Sequence, residues 1–343
     1  MVITLNFRTR MASMQLPISL RAGLSRFLVG AGVLLPWHMP IAAAEVPWQT
    51  CTPGLSRNDL QRIGNMTERA RVIAYGEGSH GVHEFLAARN RLFAFLVRHH
   101  GVRLLVAETH PVNAASVDAY IQGRGELSDE LVESVFTANR RYRWRDKPFD
   151  ENRELLIWMR NYNAQAAEHE QIRFAGMDWR HPLAEGSHMP PKARGMAEML
   201  LHHLQALAAD KKLFVFAHHG HLRSDVSRQP PAGTPTLGQT LRQELGSQLF
   251  VLGSAYATGR VQDGGNLTRH LAPPELDSLD GRLAATGVEC AILDFGKEDV
   301  RSWVKSANSV RGSYWGGTAH YLPMHVEQAF DASLFFRTVT PLR

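Results

Sequence analysis

Residues 72–85 read Val72-Ile73-Ala74-Tyr75-Gly76-Glu77-Gly78-Ser79-His80-Gly81-Val82-His83-Glu84-Phe85. Four apolar residues run into a glycine-rich turn, and the residues after the turn resemble the start of a helix. A strand, a tight turn and a helix in this order are typical of an α/β fold. The turn carries an acid, Glu77, and a base, His80, so one unit brings both groups together.

Further apolar segments also end in ionisable groups. These segments are Leu104–Glu108, Phe174–Asp178 and Leu213–His218. In open α/β sheets, functional sites form in the crevice beyond the carboxyl ends of the strands. Four strands that end in Glu, Asp or His therefore predict one polar crevice, and with it an enzyme.

Short apolar runs alternate with longer helical patterns along the chain. The predicted strands are Val72–Tyr75, Arg103–Ala107, Ile172–Met177, Lys212–Ala217, Gln248–Gly253, Glu289–Asp294 and Asp331–Thr338. Because these runs are apolar throughout, both faces of the strands are expected to be covered. The sequence therefore predicts a three-layer α/β fold, with a largely parallel sheet flanked by helices.

The segment 111–171 interrupts this alternation because it contains no strand pattern. A crossover between parallel strands needs only about a dozen residues. Helical patterns cover residues 113–121, 128–136 and 149–168, so we expect a helical insertion over the carboxyl ends of the strands.

The first 44 residues are typical of a secretory signal peptide. They hold four arginines and no acidic residue, followed by the apolar run Phe27–Leu35 and by Ala42-Ala43-Ala44. Translation starting at Met11 or Met14 would give a more ordinary length. We expect cleavage after Ala44, export to the periplasm or beyond, and a single domain over residues 45–343. A retained amphipathic arm is the alternative, since the run is too short for a stable membrane anchor.

The net charge argues against nucleic acid as a partner. The chain has 38 Lys and Arg against 33 Asp and Glu, and without the arginines of the first 44 residues the balance is 34 against 33. Nothing in this balance favours nucleic acid, which needs a basic face to neutralise its phosphates.

The two cysteines, Cys51 and Cys290, leave two alternatives open. An exported protein permits a disulfide between them. Cys290 also opens the apolar run Cys290–Leu293, where a buried, inert thiol is equally compatible with the pattern.

The turn imitates two well-known motifs. Gly76-Glu77-Gly78-Ser79-His80-Gly81 matches a dinucleotide fingerprint, but Glu77 would place a carboxylate beside the pyrophosphate. The order Ser79, Asp178, His218 copies the order of a serine hydrolase triad. However, Glu77 stands where the nucleophile elbow needs glycine, and Ser79 is better interpreted as the N-cap of the following helix.

A third interpretation takes Glu77 and His80 as the active groups. Glu108 arrives from a neighbouring strand, and His218 and His221 follow another. A carboxylate orients an imidazole and stabilises its protonated form, which makes it a stronger base toward water. Arg89, on the helix after the turn, is placed to pair with a carboxylate.

These segments resemble the erythromycin esterase family. The order and spacing of Glu77, His80, Arg89 and Glu108 are similar to that family's active-site set, and His218 with His221 to its downstream histidine pair. The resemblance extends over residues 72–338. It implies hydrolysis of an ester or lactone without a metal or other cofactor, in which His80 activates water and Glu77 and Glu108 orient it. His218, His221 and Arg89 would complete the polar network, with Asp178 in support.

The sequence also departs from that family. Only about 40 residues separate Asp178 from His218, where members that open macrolide lactones have a longer helical segment. His219 stands where members often have Asn. The resemblance therefore implies a small-molecule ester or lactone as substrate and leaves macrolide antibiotics open.

Two other functions remain compatible with the residues. The same Glu and His cluster could ligate zinc or manganese in a metal-dependent hydrolase, although the helical His-Glu-x-x-His spacing is absent. The histidines could also serve a periplasmic haem-binding or ligand-binding protein. The natural substrate is not fixed by the sequence, and neither is the oligomeric state, for which a monomer is the expectation.

Overall fold

The computed structural model describes residues 46–135, 149–179, 192–225, 235–262, 267–315 and 318–343. The predicted signal peptide of residues 1–44 lies outside these ranges.

The described residues form strands and helices in alternation. The strands are β1 Gln49–Thr50, β2 Val72–Glu77, β3 Val102–Ala107, β4 Arg173–Gly176, β5 Lys212–His218, β6 Leu249–Gln262, β7 Thr268–His270, β8 Cys290–Asp294, β9 Ser309–Trp315, β10 Thr318–Pro323 and β11 Ala332–Val339. The helices are α1 Arg57–Met66, α2 His83–His99, α3 Pro111–Ile121, α4 Asp129–Ser134, α5 Asp150–Gln165, α6 Lys192–Ala206, α7 His219–Leu222, α8 Leu237–Leu245, α9 Leu279–Ala285, α10 Glu298–Val304 and α11 Val326–Ala329.

One large sheet has the strand order β1-β8-β11-β6-β2-β5-β3-β4. The strands from β11 to β4 in this order run parallel, which confirms the predicted fold class. β8, β1 and β7 pair antiparallel to their neighbours and make the sheet mixed. An apolar strand that is buried on both faces has the same pattern in either direction, so the sequence did not reveal this reversal.

Alternate residues of each central strand enter two different hydrophobic cores. In β2, Ile73 and Tyr75 belong to the core built with α1, α2, α3 and α5, whereas Val72 and Ala74 belong to the core built with α6, α8, α9 and α10. Helices therefore cover both faces of the sheet. Burial on both sides explains why the strands are apolar throughout and confirms the three-layer arrangement.

The described part of the insertion adds to the first of these helical layers. Val117 of α3 and Leu156 of α5 are fully buried in the same core as α2. The end of α4 reaches the carboxyl end of β3, where the Thr109 hydroxyl donates a 2.7 Å hydrogen bond to the Ser134 carbonyl. Residues 136–148 of the predicted insertion fall outside the described ranges.

The hairpin of β9 and β10 was not among the strands predicted from the sequence. β6 continues nine residues beyond its predicted end at Gly253, and Tyr256 on this extension donates a 2.8 Å hydrogen bond to the Gly312 carbonyl of β9. Arg311 is fully buried and donates to the Ala257 carbonyl of β6 at 2.9 Å. These contacts hold the hairpin against the carboxyl end of β6.

A disulfide joins Cys51 to Cys290, which settles the alternative left open by the sequence. It ties β1 to β8 across a sequence separation of 239 residues. No helix within the described ranges is long and apolar enough to cross a membrane.

Candidate active site

The turn after β2 places Glu77 and His80 at the centre of the sheet's carboxyl edge. Glu77 is the last residue of β2, which lies between β5 and β6. The turn ends at Gly81, whose backbone φ is +81°, and a Cβ there would lie 2.5 Å from the Gln262 carbonyl oxygen. A glycine is therefore needed for the chain to turn sharply into α2.

Glu77 and His80 form a close pair. Glu77 Oε1 lies 2.6 Å from His80 Nδ1, and their side chains are 1% and 31% exposed. Burial opposes the charge on His80, but the Glu77 carboxylate, its hydrogen bond and the charge of Glu108 outweigh it and raise the pKa of His80. The pair thus joins a buried acid to a base that reaches the crevice.

The second oxygen of Glu77 has a different environment. Glu77 Oε2 is buried and has no hydrogen-bond partner among the described residues. Burial raises the pKa of Glu77, against the opposing charges of His80 and Arg89. A buried carboxylate with one partner depends strongly on that partner, so Glu77 and His80 act as a unit.

Glu108 connects two further strand ends to this pair. Its Oε2 accepts a 3.2 Å hydrogen bond from the His218 amide, and its Oε1 lies 3.1 Å from His221 Nε2. Burial works against the charge of Glu108, but His221 and Lys192 reverse this effect and hold its pKa well below the usual value. Glu108 therefore remains a carboxylate.

Lys192 is a member of the site that the sequence analysis missed. It opens α6 and places Nζ 3.1 Å from Glu108 Oε1 and 3.2 Å from Asp178 Oδ1. The predicted support residue Asp178 thus lies in the cluster as an ion-pair partner of Lys192. The available signal was the position of Lys192 directly after the pair Pro190-Pro191, which marks a loop that ends there.

His218 is held as a neutral donor. Its Nδ1 accepts a 3.2 Å hydrogen bond from the Gly220 amide, so the ring proton belongs on Nε2. This nitrogen lies 3.1 Å from the Gly78 carbonyl and 2.8 Å from Ser313 Oγ. Burial and the neighbouring histidines lower the pKa of His218 well below the usual value. Ser313, on the hairpin, is a second residue that the sequence analysis missed.

The other histidines of this segment differ in exposure. His221 lies on α7 and is one-third exposed, so its ring borders the crevice. His219 is fully buried and stacks on Phe330, with ring centroids 5.8 Å apart. His219 is thus part of the core beneath the site.

Arg89 lies beneath the site and does not reach the crevice. The residue is 1% exposed, and its guanidinium donates to the Asn152 side chain at 2.9 Å and lies 4.9 Å from the centre of the Phe216 ring. No carboxylate among the described residues lies within ion-pair distance of Arg89, in contrast to the predicted pairing. Its positive charge nevertheless acts to lower the pKa of Glu77 across the core.

The predicted role of Ser79 as a helix N-cap is wrong. α2 begins at His83, and its N-cap residue is Val82. Ser79 is fully buried, and its hydroxyl donates a 3.1 Å hydrogen bond to the His80 carbonyl. The turn is longer than predicted because Gly81 redirects the chain before the helix starts.

One edge of the sheet thus holds an oriented imidazole, several hydrogen-bond donors, and carboxylates that are paired with lysine or histidine side chains. Such a set can move a proton to and from water next to a polarised group. Among the described residues, no three His, Cys, Asp or Glu side chains are grouped in a way that could hold a metal ion.

The chain matches the sequence model of a known family, described as erythromycin esterase. The match covers residues 97–189 and 179–339, which include Glu108, Asp178, His218 and His221. Glu77 and His80 precede the matched residues.

Two curated relatives come from Escherichia coli. The chain is 27% identical over 146 residues to an erythromycin esterase type II, covering 43% of this chain and 32% of that protein. It is 22% identical over 219 residues to an erythromycin esterase type I, covering 57% of this chain and 50% of that protein. The chain thus spans about a third to a half of the length of these relatives.

Solved structures extend the similarity over the whole fold. A protein described as a succinoglycan biosynthesis protein has a TM-score of 0.65 and 19% identity, and the superposition covers 87% of this chain and 95% of that one. An erythromycin esterase mutant in its open conformation has a TM-score of 0.63 and 13% identity, covering 87% of this chain and 99% of that one. At these identities the structures establish the fold. The family model matches more than half of the chain, which shows that the chain belongs to the erythromycin esterase family.

Proposed function

We propose that this protein hydrolyses a carboxylic ester or lactone, with His80 as the general base that activates water. The observation that carries the proposal is the 2.6 Å contact between Glu77 Oε1 and His80 Nδ1 at the end of the central strand. Membership of a family described as erythromycin esterase supports the reaction class.

The contact with Glu77 sets the tautomer of His80. A proton on Nδ1, donated to the carboxylate, leaves the basic lone pair on Nε2. Nε2 takes a proton from water as the water oxygen bonds to the ester carbonyl carbon. The resulting tetrahedral oxyanion collapses, the bond to the alkoxide breaks, and the alkoxide takes the proton back from His80. The products are a carboxylic acid and an alcohol.

The other residues stabilise charge in this scheme. Glu108 holds His221 at the crevice, where its imidazole lies next to the carbonyl oxygen on which the oxyanion develops. His218 is a neutral donor, because its Nδ1 already accepts the Gly220 amide. The buried Arg89 supports the charge of Glu77 from below the site, because its positive charge favours the ionised carboxylate.

Activity without a metal is part of the proposal. Glu108, the carboxylate best placed to be a ligand, already receives Lys192, His221 and a backbone amide. A divalent cation at Glu108 would face the Lys192 ammonium, and the two positive charges would repel each other. We therefore expect activity to survive treatment with EDTA.

The substrate is proposed to be smaller or more extended than a macrolide. Only about 40 residues separate Asp178 from His218, which supports this proposal because members of the family that open macrolide lactones have a longer helical segment there.

Export to an oxidising compartment is proposed as well. The Cys51–Cys290 disulfide supports it, because such bonds persist mainly outside the cytosol. Intact mass of protein from the envelope fraction should give a chain that starts near Glu45, and a chain that retains Met1 would contradict export with cleavage.

A substrate panel tests the proposed function. Purified protein is assayed with aryl esters, lactones and macrolides, with and without EDTA, and with added zinc or manganese. We expect ester or lactone turnover that EDTA does not reduce. Turnover that is lost in EDTA and restored by metal would support the metal-dependent alternative, and haem absorbance without turnover would support a binding protein.

A further inference from the structure

Lys192 occupies a position that the proposed chemistry does not yet use. Its Nζ lies 3.1 Å from Glu108 Oε1 and 3.2 Å from Asp178 Oδ1, so it bridges two carboxylates at the edge of the crevice. The same Glu108 oxygen lies 3.1 Å from His221 Nε2. One ammonium thus contacts the carboxylate that also holds a histidine of the site.

This bridge differs from an ordinary surface ion pair. The side chains of Asp178 and Glu108 are only 4% and 14% exposed, and that of Lys192 is 30% exposed. Water therefore screens these charges weakly, and two carboxylates at this depth need a cation nearby. Burial opposes the charge of Lys192, but Glu108 and Asp178 outweigh it and raise the pKa of Lys192.

The bridge also acts on His80. Glu77 and Glu108 favour the protonated imidazole, whereas Lys192 opposes it. Removing the ammonium would leave the charge of Glu108 less compensated, so His80 would hold its proton more tightly. The charged and titratable groups around His80 are Glu77 on β2, Glu108 after β3, His218 on β5, His219 and His221 on α7, and Lys192 on α6.

We propose that Lys192 is a positioning residue, which fixes Glu108 and Asp178 and offsets their charge at the edge of the crevice that holds His80. This inference rests on the proposed role of His80 as the base. On this inference, the first turn of α6 controls the pH range in which the protein is active.

The test compares three variants with the unmodified protein. Lys192→Met removes the charge at similar size, Lys192→Arg keeps it, and Lys305→Met removes a lysine charge on the distant end of α10. The pH at which the His80 ring titrates is measured by NMR, with the resonance assigned through its loss in His80→Gln. The pH dependence of kcat/KM is measured with an aryl acetate.

We expect Lys192→Met to move the His80 titration and the acidic limb of kcat/KM to higher pH. At pH 6 its kcat/KM should be about three- to tenfold below that of the unmodified protein, and the two should converge at high pH. Lys192→Arg and Lys305→Met should titrate as the unmodified protein does.

A purely structural role for Lys192 would lower the melting temperature or reduce kcat equally at every pH, and an unmoved His80 titration would overturn the inference. Lys192→Gln provides the same comparison if Lys192→Met does not fold. Because the NMR titration needs no turnover, failure of this inference is distinct from failure of the proposed function, which would appear as full activity in His80→Ala.

Discussion

Gly76 packs directly against the backbone of His219: a Cβ at position 76 would lie 2.7 Å from the His219 Cβ and 2.9 Å from its Cα. Gly76 precedes Glu77 in β2, and His219 follows His218 at the end of β5. Since Glu77 and His218 are also paired in register between these strands, this contact sets how closely the two strand ends approach. The approach brings a carboxylate and the histidine segment to one edge of the sheet.

Gly76→Ala should therefore destabilise the protein. A methyl group has to displace backbone atoms of His219, and overpacking of this kind costs about 1–3 kcal/mol. The free energy of unfolding from urea titration measures the loss. Gly54→Ala is the control, because its nearest contact would be Arg91 Nη1 at 3.6 Å. Equal stability of the two variants would contradict the proposed contact.

His219 should make the fold sensitive to acid. Burial lowers the pKa of His219 to about 3, below the usual value of 6.5, so its contribution is fully present above pH 6.5 and is lost as the pH falls toward 3. Between pH 7 and pH 4.5 the free energy of unfolding should decrease by about 2–3 kcal/mol from this group.

His219→Asn should remove this part of the pH dependence, whatever its effect on stability at pH 7. Urea titrations of both proteins at the two pH values provide the comparison. The same decrease in His219→Asn as in the unmodified protein would show that other groups cause it.

The Cys51–Cys290 disulfide should stabilise the fold, because it closes a loop of more than two hundred residues in the unfolded chain. Its loss should cost roughly 2–5 kcal/mol. The double variant Cys51→Ser, Cys290→Ser should melt at the same temperature with and without dithiothreitol. The unmodified protein should lose stability in reductant, and an unchanged melting temperature there would contradict a stabilising bond.

Ser79→Ala tests the serine-nucleophile alternative. Ser79 is fully buried and donates to the His80 carbonyl, so its removal should change kcat by less than about tenfold, with a stability loss of about 1 kcal/mol. The protein should also resist an organophosphonate that traps reactive serines. An inactive but folded Ser79→Ala, together with trapping, would favour a serine nucleophile over His80.

The sequence predicted the part of the site that local spacing determines. Glu77 and His80 are three residues apart in one turn, so their contact follows from the turn itself. Glu108 and His218 were found because each follows an apolar strand, and parallel strands bring their carboxyl ends to one edge.

Residues supplied by distant, irregular segments were not predictable in this way. Lys192 lies 84 residues from Glu108, on a helix whose approach depends on the packing of the whole second layer. Ser313 comes from a hairpin that Tyr256 and Arg311 hold in place. For Arg89, the partner Asn152 lies on α5, 63 residues away, and no local pattern indicated it.

The turnover of His80→Ala tests the central claim most directly. The variant is compared with the unmodified protein on the best ester or lactone of the panel, and circular dichroism and the melting temperature establish that both are folded. Without its general base, the variant should have a kcat reduced by roughly 10²–10⁴-fold. A folded His80→Ala protein with kcat within about threefold of the unmodified protein would contradict the role of His80 in activating water.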